Sequence, residues 1–413
     1  MGTGIVAHAE GIALPGVGPI NRAMGGAAVA APIDAAGALH WNPASISGLS
    51  SNEMTFGFEL LLPTEEIAST LGPFSGSTGG EPGVSVIPTF GLVHRPEDSP
   101  WTYGFGLFGI AGYSINYPAS TTNPILTPQP PNGFGVGRLF SQTEVLQMAP
   151  TVSYAVSDRL SIGIAPTITL ARLVVDPLLF AAPDDANGDG FPTYPSGRAV
   201  RYTWGGGVQI GVYYISDSCW NFGASVKSPQ WFERFRFFSE DENGNPRTET
   251  SEAEYPLIAT VGTSYTGVEN WLFALDVRYF DYANAAGFGP SGFDLDGGVN
   301  GLGWSSVLGV STGVQYRYSD YLTLRGGYNF GQNPIHSGDA SFNIATPLIS
   351  QHALSGGFSY EIARNLIMSL AYVHTFENSI TGPIITPAGV IPGSSVTSTV
   401  SGDSLLVGTT VRY

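Results

Sequence analysis

The sequence predicts an all-β protein, a fourteen-stranded antiparallel transmembrane β-barrel plugged by a small N-terminal hatch. Three observations support this fold class. Only 12% of the residues are charged, yet no apolar run is long enough for a transmembrane helix. Long and short connections alternate along the chain, and the segments between them alternate apolar and polar residues. Spreading apolar residues one in two along strands is typical of membrane barrels.

The connections fix the number of strands. Six are short and polar, at 94–101, 156–160, 215–220, 266–271, 318–322 and 361–366. Seven are long and rich in Pro, Gly, Asn and Asp, near 63–83, 113–139, 176–197, 228–253, 284–302, 332–349 and 377–400. Seven plus six makes thirteen connections and therefore fourteen strands. Long outer loops and short periplasmic turns are the layout of an outer-membrane barrel, and an even strand count is usual.

The strand segments have one apolar face. In 271–282, Trp271, Phe273 and Leu275 share one side, while Asp276 and Arg278 lie on the other. Residues two apart share a face of a strand, so the pattern predicts an apolar exterior and a polar lumen. A soluble sandwich also alternates, but it usually has short hairpins at both ends.

Residues 1–51 have a different composition from 52–413. The stretch 16–49 is rich in small residues and has neither strand nor helix periodicity over a useful length, so it cannot build a core of its own. With fourteen strands both chain ends lie on the periplasmic side, which puts this segment below the barrel mouth. We therefore expect 1–51 to be a hatch inside a barrel formed by 52–413, with Arg22 and Asp34 as tethers to lumen charges.

Charge and cysteine content exclude other classes. The net charge of −17 disfavours a nucleic-acid partner, because phosphate binding needs clustered Lys and Arg. The single cysteine, Cys219, excludes an internal disulfide framework and a cysteine-based zinc site.

The last strand carries a biogenesis signal. Alternating large residues from Leu405 through Val407 lead to an aromatic C-terminus at Tyr413. This arrangement resembles the C-terminal signal that barrel-assembly machinery recognises. Expected partners are therefore that machinery, outer-membrane lipid and lipopolysaccharide.

The hatch segment resembles a known family. GPINRAMGGAAVA followed by DAAGALHWNPASISGL is similar to the hatch of the FadL/TodX (OMPP1) transporters of long-chain fatty acids and hydrocarbons, and the triplet 42–44 is the most recognisable element. The resemblance implies a monomeric channel in the bacterial outer membrane that needs no cofactor. It assigns hatch roles to Arg22, Gly25, Gly26, Asn42, Pro43 and Ala44.

The same resemblance implies a transport route. A hydrophobic molecule would be captured among the outer loops, enter a lumen pocket above the hatch, and leave sideways near the third strand after the hatch rearranges. The substrate would be a long-chain fatty acid or a hydrocarbon.

Two apolar clusters in the predicted outer loops are candidates for substrate binding. Apolar side chains in water-facing segments often mark an interaction surface. Alternatively, those in the fourth loop are barrel-top aromatics of the membrane girdle. The candidates are Leu178, Leu179, Phe180, Trp231, Phe232, Phe235, Phe237 and Phe238.

The third strand is rich in glycine, at Gly104, Gly106, Gly109 and Gly112. Glycine inside a strand weakens pairing and often marks a bulge or kink. The resemblance makes these residues a lateral gate. The alternative is that small residues face a crowded lumen.

Two arginines are candidates for binding a carboxylate. Arg201 and Arg278 point into the upper lumen by alternation, and arginine can bind a carboxylate through two hydrogen bonds. Either arginine could equally pair with a lumen acid such as Asp276.

The third outer loop contains half of a calcium motif. Asp185, Asn187 and Asp189 match the start of an EF-hand loop, but position 12 is Ser196 rather than glutamate. The loop predicts a structural calcium site or an ordinary turn-rich loop.

The resulting hypothesis is a passive channel that is not an enzyme. A polar-solute porin would need an open, charged lumen. An outer-membrane lipid hydrolase would need a Ser–His pair facing the membrane. An adhesin or receptor would use its loops alone.

Overall fold

A closed barrel dominates the structure. The computed structural model describes residues 10–197, 199–200 and 202–413. Its main sheet contains the fourteen antiparallel barrel strands expected from the connections, so the fold class is confirmed. They are β1 (Glu53–Leu71), β2 (Ser85–His94), β3 (Trp101–Tyr117), β4 (Leu139–Ala155), β5 (Leu160–Asp176), β6 (Thr203–Ile215), β7 (Trp220–Lys227), β8 (Leu257–Tyr265), β9 (Trp271–Asp281), β10 (Val307–Arg317), β11 (Leu322–Gly331), β12 (His352–Ala363), β13 (Leu366–Gly382) and β14 (Ser395–Arg412).

Pairing of β1 with β14 closes the barrel, from Glu53 opposite Arg412 to Thr70 opposite Ser395. The short turns expected from the sequence connect the strands at one end. Several contain a residue with a left-handed backbone, such as Asn270 (φ 65°) and Asn365 (φ 67°). Asparagine tolerates this conformation better than most residues, which explains its place in these turns.

Smaller elements lie in the hatch and the outer loops. The hatch contains α1 (Gly18–Ala23), α2 (Ala35–Trp41) and a 3-10 turn at Ser45–Gly48. The loops contain 3-10 turns at Pro124–Leu126 and Ser337–Asn343, and short strands at Phe74–Gly79, Ala199–Val200, Gln230–Phe232, Phe235–Glu240, Pro246–Ser251, Glu254–Tyr255, Ile385–Thr386 and Gly389–Val390. None of the described helices is both long enough and apolar enough to cross a membrane.

Two of the expected long loops are shorter than the sequence suggested. Within 63–83, β1 continues to Leu71 and forms a hairpin with Phe74–Gly79. Within 377–400, β13 and β14 stay paired as far as Gly382 opposite Val396. Serine and threonine suggested loops there, but alternating β-branched residues also favour strands.

The third strand is irregular where the glycines predicted a distortion. The register between β3 and β4 shifts between Gly109 and Ala111, which leaves Ile110 as an extra residue in β3. One inserted residue exchanges the two faces of a strand. Accordingly, the buried side chains change from even positions such as Phe108 to odd positions such as Tyr113.

The wall also separates beside this bulge. The ladder between β2 and β3 ends at Thr89 opposite Phe108, whereas β3 stays paired with β4 up to Tyr117. Pro88, which precedes Thr89 in β2, has no N–H to donate to β3. On β3, the bulge at Ile110 follows two residues after Phe108. Sequence and backbone geometry therefore agree on a weak seam between β2 and β3.

Candidate functional site

The hatch fills the lumen, and local signals define its helices. Pro19 occupies the first turn of α1, where a missing N–H costs nothing. The Asp34 carboxylate caps α2 by accepting the N–H of Gly37 at 3.4 Å. Asp34 therefore caps its own helix and forms no hydrogen bond to a wall side chain through Oδ1, which has no partner among the described residues. The positive charge of Arg325 on β11 still attracts its carboxylate, so the expected tether is an electrostatic attraction at a distance.

Arg22 does bind the wall. Its Nε and Nη2 atoms donate to the two carboxylate oxygens of Glu59 at 3.2 and 2.9 Å. Both side chains are buried. A two-bond contact of this kind fixes position and orientation together, so it anchors α1 to β1.

Arg278 is a second anchor between hatch and wall. Its Nη1 and Nη2 atoms donate to the carbonyls of Pro15 and Gly26 at 2.8 and 2.6 Å. The side chain is fully buried and lies 3.6 Å from Oδ2 of Asp276, which itself accepts two hatch N–H groups. Its donors are thus directed to the hatch, and Arg278 does not line the cavity described below.

The paired glycines allow close contact with the wall. Gly25 and Gly26 have left-handed backbones, with φ of 65° and 89°. A Cβ on Gly26 would overlap the carbonyl oxygen of Pro15, and one on Gly25 would lie 2.7 Å from the carbonyl oxygen of Tyr328. Neither position accommodates a side chain.

The Asn42-Pro43-Ala44 triplet lies against β5 and β6. The Asn42 amide donates to the carbonyls of Val29 and Val212 at 2.9 and 3.0 Å. The first bond joins two parts of the hatch, and the second joins the hatch to β6 of the wall. Pro43 and Ala44 lie so close to Gly163 that a Cβ there would overlap their backbone.

Burial shifts the protonation of three hatch side chains. Loss of solvent raises the pKa of Asp34 to about 6, and hydrogen bonds to its oxygen only partly oppose this. Burial also raises the pKa of Glu10, although Arg278 opposes the shift. Burial lowers the pKa of His40 well below its usual value, so this imidazole is neutral.

A cavity of about 560 Å³ lies above the hatch among the outer loops. The hatch contributes Ile12 to its surface, and the outer loops and upper strands contribute the rest. A cavity of this size suits a small hydrophobic molecule. Its apolar lining includes Val145, Ala171, Leu173, Val175, Leu179, Phe180, Phe232, Phe235, Phe288, Leu302 and Phe342.

The predicted loop residues divide into three groups. Lining residues are Leu179, Phe180, Phe232 and Phe235. Leu178 and Phe237 are buried without appearing in the lining. Trp231 and Phe238 are exposed. Alternation within the short strands produces this division, because neighbouring residues point to opposite faces. Cavity-lining and outward-facing side chains therefore alternate within the cluster.

The charged residues that line the cavity are Arg172, Arg234, Glu252, Glu254 and Asp294. Arg234 pairs with Glu252, and both side chains are exposed. Arg201, the other predicted carboxylate ligand, lies outside the described residues. Neither sequence-predicted arginine is therefore placed in the cavity by the described structure.

The wall bulge lies beside both hatch and cavity. The Ile110 carbonyl accepts the N–H of Leu14 at 3.0 Å, and Ala13 forms an isolated bridge with Ala111. Tyr255, which lines the cavity, donates its hydroxyl to the same carbonyl at 3.4 Å. Sequence reasoning missed these contacts, because only the glycine content marked the strand.

The predicted gate glycines have different surroundings. A Cβ on Gly104 would lie 2.5 Å from Leu39 of the hatch, and one on Gly109 would overlap Ile87 of β2. A Cβ on Gly106 would overlap the ring of Phe108, whereas Gly112 has only the Thr143 carbonyl within 4 Å. Gly104 thus fits the crowded-lumen interpretation, and Gly109 borders the bulge.

The Asp185–Asp189 loop is held by its own hydrogen bonds. Asp185 accepts the N–H of Gly190, Asn187 accepts that of Asp189, and Asp189 accepts that of Phe191. Within the described part of the chain, no group of three or more His, Cys, Asp or Glu side chains is placed to hold a metal ion. Calcium binding at this loop stays a prediction.

One Ser–His pair forms in the outer loops. The Ser305 hydroxyl lies 2.7 Å from Nε2 of His336, although the two are 31 positions apart. No side chain that would orient Nδ1 of His336 is found among the described contacts. A triad needs that third group, so this pair does not form one.

These features define a class: a plugged outer-membrane barrel built as a transport channel. The chain belongs to the outer membrane protein transport protein (OMPP1/FadL/TodX) family, whose model matches residues 4–413. The family and the outer-membrane location expected from the hatch motif are confirmed.

Solved structures share the whole fold. The toluene transporter TodX of P. putida is 17% identical, with 97% of this chain and 99% of that chain covered and a TM-score of 0.68. The toluene transporter TbuX of Ralstonia pickettii is 18% identical with the same coverage and a TM-score of 0.69. A Pseudomonas aeruginosa FadL homologue is 14% identical, again with the same coverage, and has a TM-score of 0.71. No curated protein sequence matches the chain.

Proposed function

We propose that this protein is a passive channel for uptake of hydrophobic small molecules, either long-chain fatty acids or hydrocarbons. The apolar cavity between the outer loops and the hatch carries this proposal. TodX and TbuX are toluene transporters, which supports hydrocarbons as one substrate class.

Capture would begin at the exposed aromatics of the fourth loop. Trp231 and Phe238 face outward, while Phe232 and Phe235 line the cavity. Transfer of an apolar molecule from the outer face to the cavity would take it around the edge of this segment, because residues 230–232 are paired with neighbouring strands on both sides. Burial of its hydrocarbon surface would drive this transfer.

Lateral exit is proposed at the seam between β2 and β3. The ladder stops at Thr89 opposite Phe108, and the Ile110 bulge follows. The hatch contacts this bulge through Leu14. Rearrangement of the hatch N-terminal segment would release that contact and open a path toward the membrane.

Uptake into proteoliposomes tests the proposal. Purified protein should accelerate entry of radiolabelled oleate or toluene above the rate in protein-free vesicles, with no energy source. A heat-denatured sample is the control. Failure to accelerate either compound would overturn the proposed function.

The alternatives have less support. A polar-solute porin needs an open lumen, whereas the hatch occupies this one. The exposed Ser305–His336 pair lacks an orienting group among the described residues, so a lipid hydrolase is not favoured. A lipase assay that detected activity abolished by Ser305→Ala would reverse this judgement.

We propose the remaining partners from surface chemistry. Exposed apolar residues such as Phe56 and Ile164 face outward, which suits membrane lipid and lipopolysaccharide. The exposed terminal Tyr413 suits recognition by barrel-assembly machinery. We expect a monomer.

A further inference from the structure

The unpaired interval between β2 and β3 has an upper end as well as a lower one. Its lower end is the pair Thr89 and Phe108, where the ladder stops. Farther along, the two chains meet again. The N–H of Glu81 donates to the carbonyl of Asn116 at 2.7 Å, and Nδ2 of Asn116 donates to the carbonyl of Glu81 at 2.8 Å. The interval is therefore closed at both ends, and we name it the wall slot.

The two edges of the wall slot have the same length in residues. One edge runs eight residue steps from Thr89 to Glu81, and the other runs eight from Phe108 to Asn116. Most of each edge is β-strand, which is already close to the greatest length that a chain can reach. Such edges have little slack to bow apart while both ends stay joined. The slot can therefore widen substantially only when one end is released.

The wall slot adjoins the cavity. Tyr113, on the β3 edge, is one of the cavity-lining residues. Ile87 of β2 is buried against Gly109 of β3, so closely that a Cβ on the glycine would overlap it. Among the described residues, no hydrogen bond joins 82–88 to 109–115. Side-chain packing rather than a backbone ladder therefore fills the slot beside the cavity.

Asn116 uses its backbone and its side chain to hold the upper end. Its N–H donates to Oε1 of Glu65 on β1 at 2.8 Å, where a neighbouring strand would normally supply a backbone carbonyl. Its Oδ1 accepts from Nη2 of Arg138 at 3.0 Å. Together with the bonds to Glu81, these contacts join β3 to β1 and to the segment before β2. We name Glu65, Glu81 and Asn116 the slot latch.

The slot latch is the weaker of the two ends. The lower end continues into a ladder of six residue pairs, whereas the latch depends on a few separate hydrogen bonds. Glu65 is 5% exposed, yet its Oε2 atom has no partner among the described residues, and neither has the buried hydroxyl of Tyr117. Unpartnered buried polar atoms raise the free energy of the closed state. The upper end is therefore the one that can open.

We propose that the slot latch sets the width of the molecules that leave through the wall. With the latch closed, the slot passes narrow molecules such as an alkyl chain or a single aromatic ring. Fused-ring hydrocarbons pass only when the latch opens. Glu65 and Asn116 are therefore specificity-determining residues. This inference rests on the lateral exit of the proposed function and adds a size limit to it.

Uptake of two neutral hydrocarbons of different width tests this size limit. Toluene has one ring, whereas pyrene has four fused rings. The ratio of their initial uptake rates into proteoliposomes cancels differences in the amount of protein. An outer leaflet of lipopolysaccharide slows direct partitioning of both probes, and protein-free vesicles give the background.

Breaking the slot latch should raise the ratio of pyrene to toluene uptake. Glu65→Leu removes the acceptor of the Asn116 N–H, and Asn116→Ala removes the bond from Nδ2 to Glu81. We expect a several-fold higher ratio in each variant, because each loses one of the few bonds that hold the upper end. Glu65→Gln is the matched control, since it keeps an oxygen acceptor and should keep the wild-type ratio.

A disulfide tests the same end by holding it closed. Glu81→Cys with Asn116→Cys places two thiols where the chains meet, and Cys219→Ser removes the natural thiol. Oxidation should bring the ratio to the wild-type value or below, and dithiothreitol should raise it to that of Asn116→Ala. Thr381→Cys with Thr397→Cys, at register partners joined at 2.8 Å between β13 and β14, should not respond.

The results separate this inference from the proposed function. A wild-type ratio in both Glu65→Leu and Asn116→Ala, or a ratio indifferent to oxidation of the 81–116 pair, would overturn the latch even if toluene is transported. If the two single variants do not fold, as judged by heat-modifiable mobility, the disulfide decides. A wild-type protein that transported neither hydrocarbon nor oleate would overturn both.

Discussion

The guanidinium of Arg278 lies over the indole of Trp41, with its Cζ atom 3.6 Å from the ring centroid. The same side chain binds the carbonyls of Pro15 and Gly26. One wall residue therefore joins three parts of the hatch that are distant in sequence. Cation–π attraction and charge-assisted hydrogen bonds both favour this arrangement.

Replacing Arg278 should loosen the hatch. Arg278→Met leaves Asp276 and Glu10 buried without their counter-charge, at a cost of about 3–5 kcal/mol. We expect faster proteolysis of the hatch and larger single-channel conductance in planar bilayers. Arg364→Met, on an exposed turn, is the matched control. Hatch proteolysis at the wild-type rate would contradict the anchoring role.

A methyl group at Gly26 should also displace the hatch. Gly26→Ala combines a positive φ with overlap on the Pro15 carbonyl, so we expect more than about 1 kcal/mol of destabilisation. Gly338→Ala is the control, because a Cβ there has nothing within 4 Å. Thermal unfolding followed by tryptophan fluorescence compares the two. Equal midpoints would argue against the close approach.

Removal of the hatch should leave a folded barrel. In the described structure β1 pairs directly with β14, so closure of the wall does not pass through the hatch. A protein lacking residues 1–48 should keep heat-modifiable mobility but admit small polar solutes in a liposome-swelling assay. Loss of folding would instead identify the segment as structural core, and gating would lose its basis.

Asp34 should make hatch docking depend on pH. Its pKa is about 6 in the buried state and 3.8 when solvated, so its favourable contribution is complete below 3.8 and is lost as pH rises through 6. Asp34→Asn keeps the helix cap and should stabilise the hatch at pH 7.5 by up to about 3 kcal/mol, with no gain at pH 3.5.

Protease susceptibility of the hatch at several pH values measures this difference. His40, which is buried and neutral, affects the pH dependence of hatch stability in the opposite direction, since its contribution is lost as pH falls. Comparing wild type with Asp34→Asn cancels that effect. If the protease susceptibility of the two proteins changed with pH in the same way, Asp34 would not be a buried, charged group at pH 7.5.

Removing the bulge should slow transport. Deleting Ile110 restores a regular register between β3 and β4 and removes the carbonyl that accepts Leu14. We expect a several-fold lower uptake rate in proteoliposomes. Deleting Ile362, at the irregularity between Glu361 and Ala363, is a control far from the cavity. Equal rates in both deletions would exclude a specific role for the β3 bulge.

Sequence alone predicted the barrel because alternation and turn chemistry are local signals. Trp271, Phe273 and Asp276 each reveal their face through their immediate neighbours. The extent of loop 377–400 was harder to predict, because serine and threonine occur both in loops and in strand extensions.

Site residues were less accessible to sequence reasoning for a different physical reason. Alternation correctly directed Arg278 inward, but its partners at Pro15 and Gly26 are more than 250 positions away. The sequence did not indicate the capping role of Asp34, because a buried carboxylate can cap a helix as well as interact with a charge.

Wall glycines have a consequence for hybrid proteins. Side chains at Gly163, Gly211, Gly223 or Gly327 would overlap hatch atoms. The inner surface of the barrel is therefore complementary in shape to this particular hatch. A relative with larger residues at these positions could not accept it. Chimeras that exchange plugs between family members should therefore assemble only when the matching wall positions are exchanged as well.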